Sequence, residues 1–307
     1  MKKVIITGAT GFIGCALAKE LLRQGCTVYG VGRSKDKLTA LLSGSNFIPV
    51  VVELSQYQQL SELIPADSYD AFYHFAWNGV FGDAFKDYTL QLSNANTCCE
   101  ALMHAKKIGC KRFVMAGTYN EFEVENFIKS EVFAPRFTCI YSSSKMVAEL
   151  ICKTLAFQHG IEYSAGLICM AYGEQNPSNM IANIVLRQLN QGIEPKLIDG
   201  NNFYDMIYID DIVRAFIAIG EKGKDCKSYY VGHRKLKTFR ELFSEIRDIV
   251  SPNIQLQFGA YQDTANMDYS LIDLDALYRD TGFECTADFK ESILKTAQWL
   301  KSIESKG

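Results

Sequence analysis

Three glycines near the amino terminus constrain this chain more than any later feature. The stretch Gly8-Ala9-Thr10-Gly11-Phe12-Ile13-Gly14 follows directly on the apolar run Val4-Ile5-Ile6 and leads into an amphipathic pattern over residues 15–24. A buried strand, a tight turn and a helix are the expected result. Gly8 is placed to make the turn, Gly11 to let backbone approach a ligand closely, and Gly14 to let the helix pack against the strand. A helix starting there presents free N–H groups and the positive end of its dipole, which suits the pyrophosphate of a dinucleotide.

After this turn, apolar runs at 3–7, 27–31, 47–52, 71–75 and 112–116 alternate with helical patterns such as 13–24, 88–108 and 142–159. The runs are rich in Val, Ile, Phe and Tyr without strict alternation, as expected for parallel strands buried on both faces. A further strand is predicted at 163–170. Strands alternating with helices predict an α/β fold with a Rossmann-type, doubly wound parallel sheet. Beyond about Gly173 the texture changes: Asn, Pro and Gly become frequent, and helices are predicted at 179–191, 210–219, 239–250 and 289–302, with a strand at 228–231 returning to the sheet. Residues 1–172 and 203–232 are therefore assigned to the dinucleotide-binding domain. Residues 173–202 and 233–307 are assigned to a smaller, discontinuous lobe closing over the carboxyl ends of the strands, where ligands bind in open α/β sheets.

Bulk properties narrow the classes. With 307 residues, 48% of them hydrophobic, and a net charge of -3, the chain is a globular protein without the basic footprint of nucleic-acid binding. No leader pattern or membrane-length apolar stretch is visible, so a cytoplasmic protein is expected. The ten cysteines are scattered apart from the adjacent Cys98-Cys99 and form no CxxC, which suggests reduced thiols. None of the four histidines stands at metal-ligand spacing, so no metal site is expected.

Two further patterns carry chemistry. The second predicted strand ends Val31-Gly32-Arg33-Ser34-Lys35, without the acidic residue that usually holds a ribose 2′-hydroxyl. Arg33, Ser34 and Lys35 suit a 2′-phosphate, so NADP(H) is the expected cofactor, with NAD(H) possible. Tyr141-Ser142-Ser143-Ser144-Lys145 puts a phenol and an ammonium one helical turn apart. A free tyrosine titrates near ~10, and a neighbouring cation favours its ionised form, as proton exchange with a substrate requires.

With these pieces assembled, nearly the whole chain resembles the extended short-chain dehydrogenase/reductase superfamily, within it the nucleotide-sugar epimerase/dehydratase/reductase group. The likeness rests on Thr7-Gly8-Ala9-Thr10-Gly11-Phe12-Ile13-Gly14, His74-Phe75-Ala76, Ala116-Gly117-Thr118, Tyr141 through Lys145, Tyr172-Gly173 and Tyr208-Ile209-Asp210-Asp211. The resemblance implies a catalytic triad of Thr118, Tyr141 and Lys145. It also implies that Glu53 and Leu54 lie near the adenine, and that His74, Phe75 and Ala76 pass beneath the cofactor. Dimerisation through helices 88–108 and 142–159 is implied too, with Cys98, Cys99, Leu102, Val147 and Ile151 in contact.

The fold does not choose among the chemistries of the group. Tyr119 and Asn120 stand where its 4,6-dehydratases carry Asp-Glu, which argues against elimination. Gly117-Thr118-Tyr119-Asn120-Glu121-Phe122 looks like the form found in some keto-sugar reductases. Glu121 is either a substrate or acid/base contact or a loop carboxylate. The expected activity is NADPH-dependent reduction of a nucleotide-linked 4-keto-6-deoxy sugar. The alternatives are an NAD-dependent nucleotide-sugar epimerase and a non-catalytic NAD(P)-binding regulatory protein. Tyr204 and Leu167 occupy positions that are often basic in the group, so either diphosphate recognition falls to Arg187, Lys196 or Arg234, with Asn179 a further phosphate contact, or the substrate is not a typical nucleoside diphosphate. Trp77, Phe81 and Phe85 are candidates for walls of the sugar site.

Overall fold

A computed structural model describes residues 1–129, 138–264 and 267–305. The first half runs β1 Lys3–Thr7, α1 Phe12–Arg23, β2 Thr27–Gly32, α2 Lys35–Leu41, β3 Phe47–Val51, α3 Leu60–Leu63, β4 Ala71–His74, α4 Tyr88–Ile108, β5 Arg112–Thr118 and α5 Glu121–Lys129. It continues with α6 Thr138–His159, β6 Glu162–Ile168, β7 Met170–Tyr172, α7 Ile181–Asn190, β8 Lys196–Ile198, β9 Phe203–Tyr204, β10 Met206–Tyr208, α8 Ile209–Lys222 and β11 Lys227–Val231. The chain ends with β12 Lys237–Thr238, α9 Phe239–Val250, β13 Gln257–Tyr261, α10 Ala276–Thr281 and α11 Phe289–Glu304.

Seven strands form one sheet in the order β11-β6-β5-β4-β1-β2-β3, and every pairing in it is parallel. Parallel neighbours need crossovers, so helices cover both faces. The two faces sort the residues of each strand by parity. Val4 and Ile6 of β1 enter the core under α1 and α8. Ile5 joins Phe72, Phe113 and the inner residues of α4 and α6 on the other face. Strand order reverses at β1, which lies between β2 and β4. This is the switch point at which a crevice opens beyond the carboxyl ends of the strands.

Three small pairs lie outside the main sheet: β7 with β10, β9 with β12, and β8 with β13. Asp211 helps fix this arrangement. It is buried at the start of α8, is paired with Arg214, and accepts the backbone N–H groups of Thr286 and Ala287 at 3.2 Å each. Among the described residues, no helix is long and apolar enough to cross a membrane.

Candidate active site

The glycine turn closes onto the adjacent strand end. Gly8 has φ +68°, and a Cβ there would lie 2.9 Å from the Ala76 nitrogen and 3.0 Å from the Phe75 carbonyl carbon. Thr7 Oγ1 accepts the Ala76 N–H at 3.3 Å and lies 3.0 Å from His74 Nδ1. The loops after β1 and β4 are therefore in backbone contact at the switch point. Gly11 caps α1 without a side-chain hydrogen bond, so the first-turn N–H groups of Phe12, Ile13 and Gly14 point into the crevice unclaimed by a cap. A Cβ at Gly14 would press onto the Gly8 carbonyl oxygen and sit 2.9 Å from its carbon. A bare, positively polarised helix end beside closely approaching backbone fits a dinucleotide pyrophosphate.

The loop after β2 is exposed at Arg33 and Lys35. The Ser34 hydroxyl caps α2 by accepting the Lys37 N–H at 3.3 Å. Beyond β3, Glu53 is exposed and Leu54 is buried.

The helix bearing Tyr141 begins at Thr138, four residues earlier than expected, so the phenol and Lys145 both project from an established helix. The ring of Phe85 stacks on Tyr141 with centroids 4.5 Å apart, and Trp77 meets Tyr141 edge-on at 6.2 Å. Lys145 is 4% exposed. Its ammonium donates to the Ala116 carbonyl at 2.8 Å and lies 3.8 Å from the centre of the Trp77 ring. Burial pushes this ammonium down to about 8, against the pull of the Cys98 and Glu121 charges. Burial, and next the Glu121 charge, raise the Tyr141 phenol above its ordinary value. Thr118 ends β5 in a buried position.

The sequence offered Glu121 as a substrate or acid/base contact or as a loop carboxylate, and the structure gives it a third role. The side chain is 3% exposed, and its Oε1 accepts the Thr118 N–H at 2.7 Å. Gly117 leaves room for it, since a Cβ there would lie 2.8 Å from Oε1. Burial, and next the Glu149 charge, push its carboxyl well above the usual range. Glu121 therefore holds the strand end that presents Thr118. Because glutamine offers the Thr118 N–H the same side-chain oxygen acceptor, Glu121→Gln is expected to keep near-normal turnover. Glu121→Ala removes the acceptor and is expected to lower kcat by roughly 10- to 100-fold, since small misplacements of reacting groups cost that much. Steady-state kinetics of the two variants checks this.

Trp77 and Phe85 stand against the Tyr–Lys pair, whereas Phe81 is 54% exposed. Two residues absent from the sequence expectations hold this segment. Buried Gln91 accepts the Trp77 Nε1–H at 2.7 Å and donates to the carbonyls of Gly79 and Ala84 at 2.7 and 2.9 Å. Asn94 accepts the Asn78 N–H and donates to the Asn78 carbonyl at 2.8 Å. Their signal in the sequence is that both fall on the inward stripe of α4, together with Cys98, Leu102 and Ala105.

Beyond Thr118, Tyr119 and Asn120 line a cleft with Ile198, Tyr204, Phe239 and Tyr269. Tyr204 packs edge-on against Phe239 at 5.2 Å. Arg187 does not reach this cleft as a free cation. Its guanidinium donates to the carbonyls of Pro177 and Ser178 and to Asn179 Oδ1, and it pairs with Glu304 at 2.9 Å. The expected phosphate contacts Arg187 and Asn179 are thus bonded to each other. Arg234 is similarly engaged with Asp275 and Glu284, and Lys196 is exposed on β8. No group of three or more metal-ligating side chains occurs among the described residues.

Comparison with known proteins adds an independent line. Residues 4–232 match the family described as the NAD dependent epimerase/dehydratase family. A trifunctional UDP-glucose 4,6-dehydratase/UDP-4-keto-6-deoxy-D-glucose 3,5-epimerase/UDP-4-keto-L-rhamnose-reductase of Arabidopsis thaliana is 22% identical over 316 residues, covering 97% of this chain and 47% of its own length. The chain thus spans about half the length of the plant relatives it matches. CDP-abequose synthase of Yersinia pseudotuberculosis is 22% identical over 85% of this chain and 89% of its own length. The crystal structure of UDP-glucuronic acid 4-epimerase from Bacillus cereus in complex with NAD shares the fold. Its TM-score is 0.78 at 18% identity, over 99% of this chain and 98% of that one.

Proposed function

The chain belongs to the NAD dependent epimerase/dehydratase family, as an enzyme of the extended short-chain dehydrogenase type, and on that premise we propose that it reduces a nucleotide-linked 4-keto-6-deoxy sugar with NADPH. The observation that carries this reading is the end of β2, where exposed Arg33 stands in place of a carboxylate and Lys35 follows. A guanidinium there recognises a 2′-phosphate in bidentate fashion, and a carboxylate would repel it. An enzyme drawing on NADPH performs net reduction, whereas epimerisation returns its hydride and needs no external pool.

The bound cofactor would supply the hydride. The protein's own groups supply the rest. Gly8, Thr10, Gly11 and the start of α1 hold the pyrophosphate, with Glu53 and Leu54 near the adenine and Phe75 and Ala76 beneath the cofactor. Thr118 donates a hydrogen bond to the substrate carbonyl oxygen, and Tyr141, kept protonated by its burial, gives that oxygen its proton. Lys145 stabilises the phenolate left behind and orients the ribose. The cleft beyond Asn120, walled in part by Tyr204, receives the nucleotide-sugar, and Trp77 stands against Lys145 and Tyr141. With Tyr119 and Asn120 following Thr118, the acid and base needed for elimination are missing, which disfavours a dehydratase.

The assay is direct. Purified protein is expected to oxidise NADPH only when a CDP- or UDP-linked 4-keto-6-deoxy sugar is present. Arg33→Ala should weaken NADPH binding by roughly tenfold or more, the worth of a charge-assisted hydrogen bond, with little change for NADH. Interconversion of two nucleotide sugars without net loss of NADPH would instead identify an NAD-dependent epimerase. That second reading is favoured by the 4-epimerase structure with NAD that shares the fold.

A homodimer through α4 and α6 is part of the same proposal. Of the expected contacts, Val147 and Ile151 are exposed, together with Leu92 and Leu150. Cys98 and Leu102 are fully buried beneath α4 and contribute no surface, a correction to the contact set. Light scattering is expected to give twice the chain mass, and Leu150→Glu to give a monomer.

A further inference from the structure

Three thiols meet between α4 and α6. Cys152 Sγ lies 3.7 Å from Cys98 Sγ and donates to Cys99 Sγ at 3.9 Å. Cys98 and Cys152 are fully buried, and Cys99 is partly open to solvent. The surroundings are unlike those of an inert thiol such as Cys110, which burial alone pushes up to about 12. Hydrogen bonding from Cys152 draws both Cys98 and Cys99 below the ordinary thiol value, and the His74 and Lys145 charges add to the effect at Cys98. His74 Nε2 is itself buried without a hydrogen-bond partner.

We propose that this cluster is a reversible oxidation site in which hydrogen peroxide converts Cys99 and Cys152 into a disulfide joining α4 to α6. The Cys99 thiolate attacks one peroxide oxygen and the O–O bond breaks, giving a sulfenic acid and hydroxide, which takes up the proton the thiol had released and leaves as water. The Cys152 thiol then attacks that sulfur, the S–S bond forms, and a second water leaves. The two thiols lose two electrons and the peroxide gains them. Buried Cys98 is then positioned to exchange with Cys99 by attacking Cys152, which moves the bridge inward. A disulfide requires the sulfurs to close to about 2.05 Å, which re-orients the cysteine side chains between α4 and α6 and perturbs their packing. Those helices carry the two halves of the active site: Gln91, two turns before Cys98, holds Trp77, and Lys145 lies two turns before Cys152. Oxidation is therefore expected to lower turnover.

The test uses the full chain with the exposed Cys226 replaced by Ser. It is treated with hydrogen peroxide over hours, because a dimer through this face would slow the first step. Free thiols are then blocked, and the protein is digested and weighed. A linked peptide pair joining residues 98/99 to 152, reversed by dithiothreitol along with a several-fold loss of turnover, is the expected result. Cys152→Ala, a small change in a buried site, should abolish the link and leave Cys99 sulfenic acid trapped by dimedone. Linkage elsewhere, or oxidation confined to the remaining exposed sulfurs, would overturn the site. A linked enzyme of undiminished activity would overturn its effect on catalysis. The peptide map does not depend on which sugar is the substrate.

Discussion

Tyr141→Phe is expected to lower kcat about a thousandfold, within the ~10²–10⁴ range of general acid catalysis, while NAD(P)H binds as before. The ring is the structural part of this residue: it stacks on Phe85 at 4.5 Å and meets Trp77 edge-on. Phenylalanine keeps both contacts, so the loss is confined to the proton. Fluorescence titration of cofactor alongside single-turnover kinetics separates the two effects, and normal turnover in the variant would refute the assignment of the acid. The pH profile gives a second handle. Lys145 loses its proton near 8 in the folded protein, so kcat/KM should decline above that pH as the charge opposite the nascent phenolate disappears. Stability responds with the opposite sign. An unfolded lysine keeps its proton to roughly 10.4. Between the two values the unfolded state therefore binds more protons, and the contribution of Lys145 to stability rises with pH. Lys145→Met removes this dependence, so its stability advantage over the wild type should shrink between pH 7 and 10 in denaturant titrations.

What could be read ahead of the structure depended on how local the determining physics was. Residues Tyr88–Ile108 were legible as a helix because punctuation brackets them. The Asp87 side chain accepts the Thr89 and Leu90 N–H groups, and Gly109 closes the helix at φ +101°. The strands of the large sheet were legible as buried apolar runs, and β1 falls at Lys3–Thr7 as expected. The two-residue strands β9 and β12 carry no period, and only their pairing with each other defines them. Charged residues were the least legible. Arg187 looked available because its partner, Glu304, lies more than a hundred positions later in α11. Glu121 stood open between a contact role and a loop carboxylate, although Thr118-Tyr119-Asn120-Glu121 has the spacing at which a Glu accepts the backbone N–H three residues before it. In the candidate site, Tyr141 and Lys145 had a recognisable spacing, whereas Gln91 and Asn94, which hold the segment carrying Trp77, had only a polar identity on an apolar stripe.

Gly14→Val carries the second large expected effect, and it tests the turn from which the fold was inferred. The position has no left-handed backbone, so conformational freedom is not what a side chain would forfeit there. The obstacle is contact. Any Cβ meets the Gly8 carbonyl, and valine adds two methyl groups that are stiff at χ1. The carbonyl belongs to a turn locked against Phe75 and Ala76, so it has nowhere to retreat, and α1 must slide outward instead. That displacement moves the first-turn N–H groups assigned to the pyrophosphate. Cofactor affinity is expected to fall by about a hundredfold, the loss of one or two charge-assisted hydrogen bonds, at a stability cost of roughly 1–3 kcal/mol for overpacking. Gly25→Ala is the control. Its φ of +82° strains any side chain, yet nothing lies within 4 Å of the added carbon. It should cost about 1 kcal/mol of backbone energy and leave cofactor affinity unchanged. Calorimetric titration of both variants with NADPH and NADH distinguishes a seat built by close packing from a loop that merely tolerates glycine. Equal affinities in the two variants would remove the close approach of α1 to β1 as the basis of dinucleotide binding.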